Sequence, residues 1–255
     1  MSESIRAVER ALDVLLCFSS NTPELTMTQI AERVGMHKST VHRLLATLEA
    51  KHFVQRDPIT GIYQPGNRLL QMAFLTLEKN DLREVAAPFM KQLNDSFRET
   101  VTLSILDDSD MVYIAVDASP QMVTLAAKPG QRLPAFCTAS GKVLIAYSPQ
   151  AVVNKIFDQG FPEYTSHTIR STETMLHIID LVRERGFAYS EQEYEEGINA
   201  VAAPILDRND QPLAAIAVAG PAYRLPVDRM LEIGPTVARV AKEISREFDF
   251  SSKHK

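Results

Sequence analysis

Apolar residues Ile5, Val8, Leu12, Leu15 and Leu16 recur at steps of three and four, the period of one helix face, and the polar run Ser19–Glu24 with Pro23 ends that pattern. A second helix is expected to begin near Thr28, a good N-cap, to carry Ile30, Ala31 and Val34 on one face, and to break at Gly35. A third follows at about His37–Lys51. There Val41, Leu44, Leu45 and Leu48 stand at i, i+3, i+4 and i+7 and must pack inward, while Lys38, Ser39, His42 and Arg43 share the opposite face. The period then changes. Two short extended runs, Phe53–Arg56 and Ile62–Gln64, flank Asp57-Pro58-Ile59-Thr60-Gly61, whose proline and glycine favour a turn, so a hairpin is expected.

Beyond residue 66 the helical period returns with Leu69, Leu70, Ala73 and Leu77, and again with Leu82, Val85, Ala86, Phe89, Met90, Leu93 and Phe97. The polar stretch Glu78–Asp81 separates the two sets, giving two helices or one bent helix over 67–99. Val101–Leu106, Met111–Val116 and Val123–Ala127 read as strands, and Gly141–Tyr147, Ala151–Phe157 and Thr172–Arg185 as helices. Strands at Ala200–Leu206 and Leu213–Ala219 and a closing helix from about Asp228 to Phe248 complete the chain. Strands in runs joined by helices predict an α+β domain, an antiparallel sheet with helices packed against it.

Two short helices separated by a glycine turn and followed by a hairpin form a winged helix-turn-helix, a DNA-reading unit. The third helix would enter the major groove: Ser39 and Thr40 can bond phosphate or base edges, and Arg43 can reach guanine or phosphate. Lys38 and His42 share that surface. Thr28 and Gln29 on the preceding helix and Arg56 and Thr60 near the wing tip complete the candidate contacts to double-stranded operator DNA.

Charge at first argues against this reading, because 27 Lys and Arg against 32 Asp and Glu leave a net charge of −5. Residues 1–66, however, are balanced at seven of each, so the deficit lies entirely after residue 66. Within Met36–Arg56 the cations Lys38, Arg43, Lys51 and Arg56 face only Glu49, and His37, His42 and His52 add further donors. The positive patch is local, as it would be if one face of a small domain met DNA.

The chain resembles the IclR family of bacterial transcriptional regulators. The likeness runs through AVERALDVL at Ala7–Leu15, TQIAERVG at Thr28–Gly35, KSTVHRLL at Lys38–Leu45, and the wing with Tyr63 and Gly66. It continues through GQRLP at Gly130–Pro134, TASGKVL at Thr138–Leu144, VRERG at Val182–Gly186, EEGINAVAAP at Glu195–Pro204 and AAIAVAGP at Ala214–Pro221. The resemblance implies three parts: a winged helix-turn-helix domain over 1–66, linker helices over 67–99 that help the protein dimerise, and a GAF-like effector-binding domain over 100–255. A homodimer or homotetramer is expected, with each recognition helix on one half of a pseudo-palindromic operator.

The family also implies a pocket at one end of the sheet. Backbone N–H groups at the start of the SGK helix fall on Ala139 and Ser140, a helix N-terminus suited to a carboxylate. Met122 and Leu125 match the pocket's apolar wall. The positions that carry an acid and hydroxyl or thiol groups in a carboxylate-sensing member are here Ser190, Ala200, Ala217 and Ala219. Three alanines predict a wider, drier pocket for a longer or aromatic acid. The alternative is an effector that is weak, differently placed or absent.

Other classes find less support. Ser140-Gly141-Lys142 lacks the glycine spacing of a P-loop. Cys17 and Cys137 lie far apart and suggest neither a disulfide nor a zinc site, and nothing in the sequence brings Cys137 to His167 or His177 as a nucleophile. Glu191 and Glu193 are expected to be solvated and Glu196 to support a turn beside Gly197. No enzyme activity, cofactor or metal is expected. The absence of a long apolar run and of a signal-peptide pattern places the protein in the cytoplasm, without a membrane partner. A DNA-binding architectural protein with no effector is the remaining rival, and the large C-terminal domain argues against it.

Overall fold

The computed structural model describes residues 5–19, 22–77 and 82–251. Two compact units divide at residues 81 and 82. The polar stretch Glu78–Asp81, and Ser20 and Asn21 within the run that ends the first helix, lie outside the described residues.

The N-terminal unit contains α1 (Arg6–Leu16), α2 (Met27–Arg33), α3 (Lys38–Ala50), the two-stranded antiparallel hairpin of β1 (Val54–Arg56) and β2 (Tyr63–Pro65), and α4 (Asn67–Leu77). Its core joins Val14, Leu25, Ile30, Ala31, Val41, Leu45, Leu48, Val54 and Tyr63, with Leu44 half-buried against them. The inward stripe expected of α3 is therefore present. On α1 the packed side is Val14, Ala11 and Leu15, whereas Ile5, Val8, Leu12 and Leu16 remain exposed.

The start of α2 corrects one expectation. Thr26, not Thr28, is the N-cap: its Oγ1 accepts the Gln29 N–H at 3.3 Å, while Gln29 Oε1 accepts the Thr26 N–H at 2.8 Å. This reciprocal capping box satisfies two amides that would otherwise lack partners. Gly35, at φ +62°, ends the turn after α2, a left-handed conformation that glycine adopts without strain. His37 then caps α3, its Nδ1 accepting the Ser39 N–H at 3.4 Å.

The C-terminal unit opens with α5 (Leu82–Phe97) and builds a six-stranded sheet in the order β5-β4-β3-β8-β7-β6, every neighbouring pair antiparallel. The strands are β3 (Thr100–Asp107), β4 (Asp110–Asp117), β5 (Arg132–Pro134), β6 (Ala188–Glu191), β7 (Ile198–Leu206) and β8 (Pro212–Pro221). The helices are α6 (Ala139–Tyr147), α7 (Gln150–Asp158), α8 (Thr172–Arg185) and α9 (Val227–Ser251). The helices expected over 67–99 thus belong to different compact units, α4 to the first and α5 to the second.

Alternation along the strands separates two cores. Val101, Leu103, Val201, Ala203, Ile216 and Val218 pack with α5 and α9, whereas Met111, Tyr113, Ala202, Ala215 and Ala217 face α6, α7 and α8. On β8 Ile216 and Val218 thus point one way and Ala215 and Ala217 the other, which leaves room on the α6 side.

One expected strand is not formed. Residues 123–127 lie in a loop held by side-chain bonds instead of a ladder: Arg224 Nη2 donates to the Val123 carbonyl at 2.8 Å, and the Thr124 and Thr100 hydroxyls bond at 2.8 Å. Two short strands, β5 and β6, escape the sequence reading because three or four residues give too little alternation to register.

Candidate functional site

The N-terminal unit presents a continuous polar face. Lys38, Ser39, His42 and Arg43 are exposed on α3 and Thr40 is half-buried. No ion pair engages Lys38 or Arg43 among the described residues, so both charges are available to an anionic partner. Ser39 Oγ shares a 2.8 Å bond with His37 Nδ1, which fixes the hydroxyl at the helix start. On α2, Thr28 is half-buried and Gln29 exposed, and the Gln29 amide oxygen serves the capping box, leaving its NH2 group for an outside contact.

At the wing the turn is built by Asp57, whose Oδ1 accepts the N–H groups of Ile59 at 2.9 Å and Thr60 at 2.7 Å. Those bonds hold its carboxyl below the usual carboxylate range. Thr60 and Ile59 are exposed at the tip, Ile59 by 92%, and Arg56 lies over the Tyr63 ring with its guanidinium carbon 5.7 Å from the centroid. A cation held on a ring at the base of an exposed tip is suited to a phosphate.

The C-terminal unit holds a cavity between the alanine side of the sheet and the start of α6. Ser190, Ala200 and Ala219 form one row across β6, β7 and β8, and Thr102 and Ala217 stand opposite each other on β3 and β8; all line the cavity. Leu125 and Ala127 reach it from the loop and Tyr113 from β4. Met122 does not: it is fully exposed and absent from the wall, because it lies in a loop and not on the strand that was expected to aim it inward.

The first turn of α6 supplies amides. Thr138 Oγ1 accepts the Gly141 N–H at 3.0 Å, which leaves Ala139 and Ser140, whose N–H groups have no acceptor within an α-helix, at the cavity wall. Gly141 seats this turn against the preceding 3-10 turn; a Cβ there would lie 2.0 Å from the Ala135 carbonyl oxygen. No Lys or Arg stands on the wall, so these backbone dipoles are the positive end that it offers to an anion.

The polar side chains at the cavity were largely missed from sequence. Glu193, expected to be solvated, is 5% exposed and forms a buried ion pair with Lys142, whose ammonium also donates to the Tyr189 carbonyl at 3.2 Å. Burial pushes the Glu193 carboxyl up and the Lys142 ammonium down, and each partner's charge opposes that shift. Burial also raises the Tyr113 phenol, keeping it neutral, and pushes the Cys137 thiol up to about 12. Cys137 lines the cavity as a protonated thiol, while His167 and His177 are exposed and stand off its wall, so no nucleophile pair is assembled. A useful signal for Glu193 was present: Lys142 falls on α6 among Val143, Leu144 and Ile145, and a lysine there needs a carboxylate.

Comparison with known proteins agrees with both halves. A model of the IclR helix-turn-helix domain matches residues 7–58, and one described as "Bacterial transcriptional regulator IclR C-terminal" matches residues 74–246. The transcriptional regulator XynR of Escherichia coli is 32% identical over 215 residues, 84% of this chain and 85% of that protein. The transcriptional repressor IclR of the same organism is 28% identical over 244 residues, covering 94% and 89%. An IclR homolog from Microbacterium hydrocarbonoxydans, solved in complex with 4-hydroxybenzoate, superposes with a TM-score of 0.82 over 94% of this chain and 99% of that one at 22% identity, a likeness of fold. Among the described residues no helix is long and apolar enough to cross a membrane, and no cluster of metal-ligating side chains forms. With a winged helix-turn-helix, an α+β domain built around a cavity, and matches along nearly its whole length, the chain belongs to the IclR family of bacterial transcriptional regulators, proteins that act on transcription and not as enzymes.

Proposed function

We propose that the chain binds a pseudo-palindromic operator as a dimer or pair of dimers and that a small organic acid in the α6 cavity sets its DNA affinity. The α3 face supports the first half: Lys38, His42 and Arg43 are exposed with Thr40 beside them, and Arg56 and Thr60 extend the surface to the wing. Gln29 and Ser39 take part in the caps of α2 and α3, and with Thr28 they stand where the DNA backbone would be met. The exposed apolar row Ile5, Val8, Leu12 and Leu16 favours a partner copy, since such a row is costly in water.

The observation that carries the second half is the cavity wall itself. It combines the Ala139 and Ser140 amides with Leu125, Ala200, Ala217 and Ala219, a carboxylate site beside room for an apolar body. A relative of the same fold holding 4-hydroxybenzoate supports an aromatic or similarly long acid over a two-carbon one. Ser190 borders the same space. Binding changes DNA affinity only if the acid favours one conformation of the protein over another.

A mobility-shift titration on DNA from upstream of the protein's own gene tests both halves. Wild type is expected to bind specifically, Arg43→Ala to fail, and one acid of a carboxylate panel to change the affinity. Equal binding by wild type and Arg43→Ala would remove α3 from the interface, and indifference to every acid would remove the effector role.

A further inference from the structure

Glu193 Oε2 is a buried carboxylate oxygen with no hydrogen-bond partner, and its residue stands on the cavity wall. The other oxygen, Oε1, is engaged by Lys142, and that side chain is itself almost fully buried. The loop that carries Glu193 is fastened in place. The Thr168 hydroxyl donates to the Glu193 carbonyl at 2.7 Å, the Thr165 hydroxyl to the Gln192 carbonyl at 2.6 Å, and the Gln192 N–H to Asn199 Oδ1 at 3.0 Å. The free oxygen is therefore held by its surroundings and cannot turn to water without breaking a buried pair. An unsatisfied buried acceptor is destabilising unless something donates to it, and the cavity is the side from which a donor can come.

We propose that Glu193 is a specificity-determining residue of the effector site, accepting a hydrogen bond through Oε2 from a hydroxyl on the bound acid. This rests on the carboxylate-sensing reading above and adds the second polar end of the ligand. Two charge arguments select a hydroxyl. Lys142 already neutralises Glu193, so an ammonium at Oε2 would stand close to another buried cation. An ionised second carboxylate has no proton to donate to Oε2 and would meet Glu195 on the wall, with no Lys or Arg there to offset it. The effector class is thus a monocarboxylate whose carboxylate meets the Ala139 and Ser140 amides and whose hydroxyl meets Glu193. Diacids of the same length are excluded.

The test is calorimetric titration of the full-length protein with two matched sets: 4-hydroxybenzoate, benzoate and terephthalate, and 6-hydroxyhexanoate, hexanoate and adipate. In at least one set the hydroxy acid is expected to bind about tenfold or more tighter than its unsubstituted partner, as for a hydrogen bond to a charged group, and the diacid weakest. Removing one member of the ion pair threatens folding, so the discriminating variant is the double substitution Lys142→Met/Glu193→Leu, which replaces the pair by apolar groups of similar size. In that variant the ratio of hydroxy-acid to plain-acid affinity is expected to fall to about one. Acids that bind without a hydroxyl preference, or a preference that survives in the double variant, would overturn the role of Glu193 while leaving acid sensing intact. No binding by any member of either set would overturn both.

Discussion

The two units of this chain build their functional surfaces in opposite ways. The face proposed to read DNA lies on α2, α3 and the hairpin between Thr28 and Thr60, whereas the cavity draws its wall from all six strands of the sheet, a loop and the start of α6. The first surface consists of exposed polar and charged side chains whose few holding contacts come from near neighbours in the chain. The second depends on a buried ion pair, a capped helix start and a row of alanines, each meaningful only once the sheet is closed. A local surface should therefore tolerate substitution without loss of fold, and a buried site should not.

The largest expected effect breaks the buried side. Lys142→Met leaves the Glu193 carboxylate buried without its partner and should destabilise the C-terminal unit by about 3–5 kcal/mol, read as a lowered thermal transition. Restoration of most of that loss by adding Glu193→Leu would show that the unpaired charge is the cause. If Lys142→Met melts like wild type, the pair contributes far less than its burial implies.

On the exposed side, Arg43→Ala should lower operator affinity by about 1–3 kcal/mol with no change in the melting curve, and Lys38→Ala should lessen the salt dependence of binding by roughly one counterion. A variant that unfolds as it loses DNA would erase the contrast between the units. A smaller effect sharpens it: Thr26→Ala removes the cap of α2 and should cost about 1 kcal/mol in the N-terminal unit, whereas Thr28→Ala leaves the cap intact.

The smallest effect concerns chemistry without stability. The Cys137 thiol, pushed up to about 12 by burial, stays protonated through neutral and mildly alkaline pH, so iodoacetamide should label the less buried Cys17 first in the native protein. The folded value lies above the unfolded one, so folding favours the thiol and protection is lost only as pH rises toward 12. Equal labelling rates below that point would mean that the cavity wall opens readily.

This division also explains what could be read from the sequence. The α3 stripe Val41, Leu44, Leu45 and Leu48 and the hairpin around Asp57–Gly61 are local patterns, and the structure reproduces them. The cap shifted from Thr28 to Thr26 because two hydroxyls of equal capacity stand two residues apart, and only the geometry of Gln29 chooses between them. In the C-terminal unit Leu125, Ala139, Ser140, Ser190, Ala200, Ala217 and Ala219 do share one cavity, as the family likeness implies. Met122 fails because the reading assumed a strand where side chains of Thr100 and Arg224 hold a loop. Glu193 was hidden for a different reason: its acidic neighbours Glu191, Glu195 and Glu196 make the segment look solvated, and its partner Lys142 is 51 residues earlier in the chain.

The coupling between the two surfaces is the central claim, and linkage gives its most direct test. Calorimetry would measure the affinity of the acid that most strongly shifts operator binding, first for the free protein and then for the protein saturated with operator DNA. The two acid affinities are expected to differ by the same factor by which the acid changes operator affinity, in the same direction. Identical acid affinities for free and DNA-bound protein would contradict it, showing that the cavity and the DNA-reading face act independently.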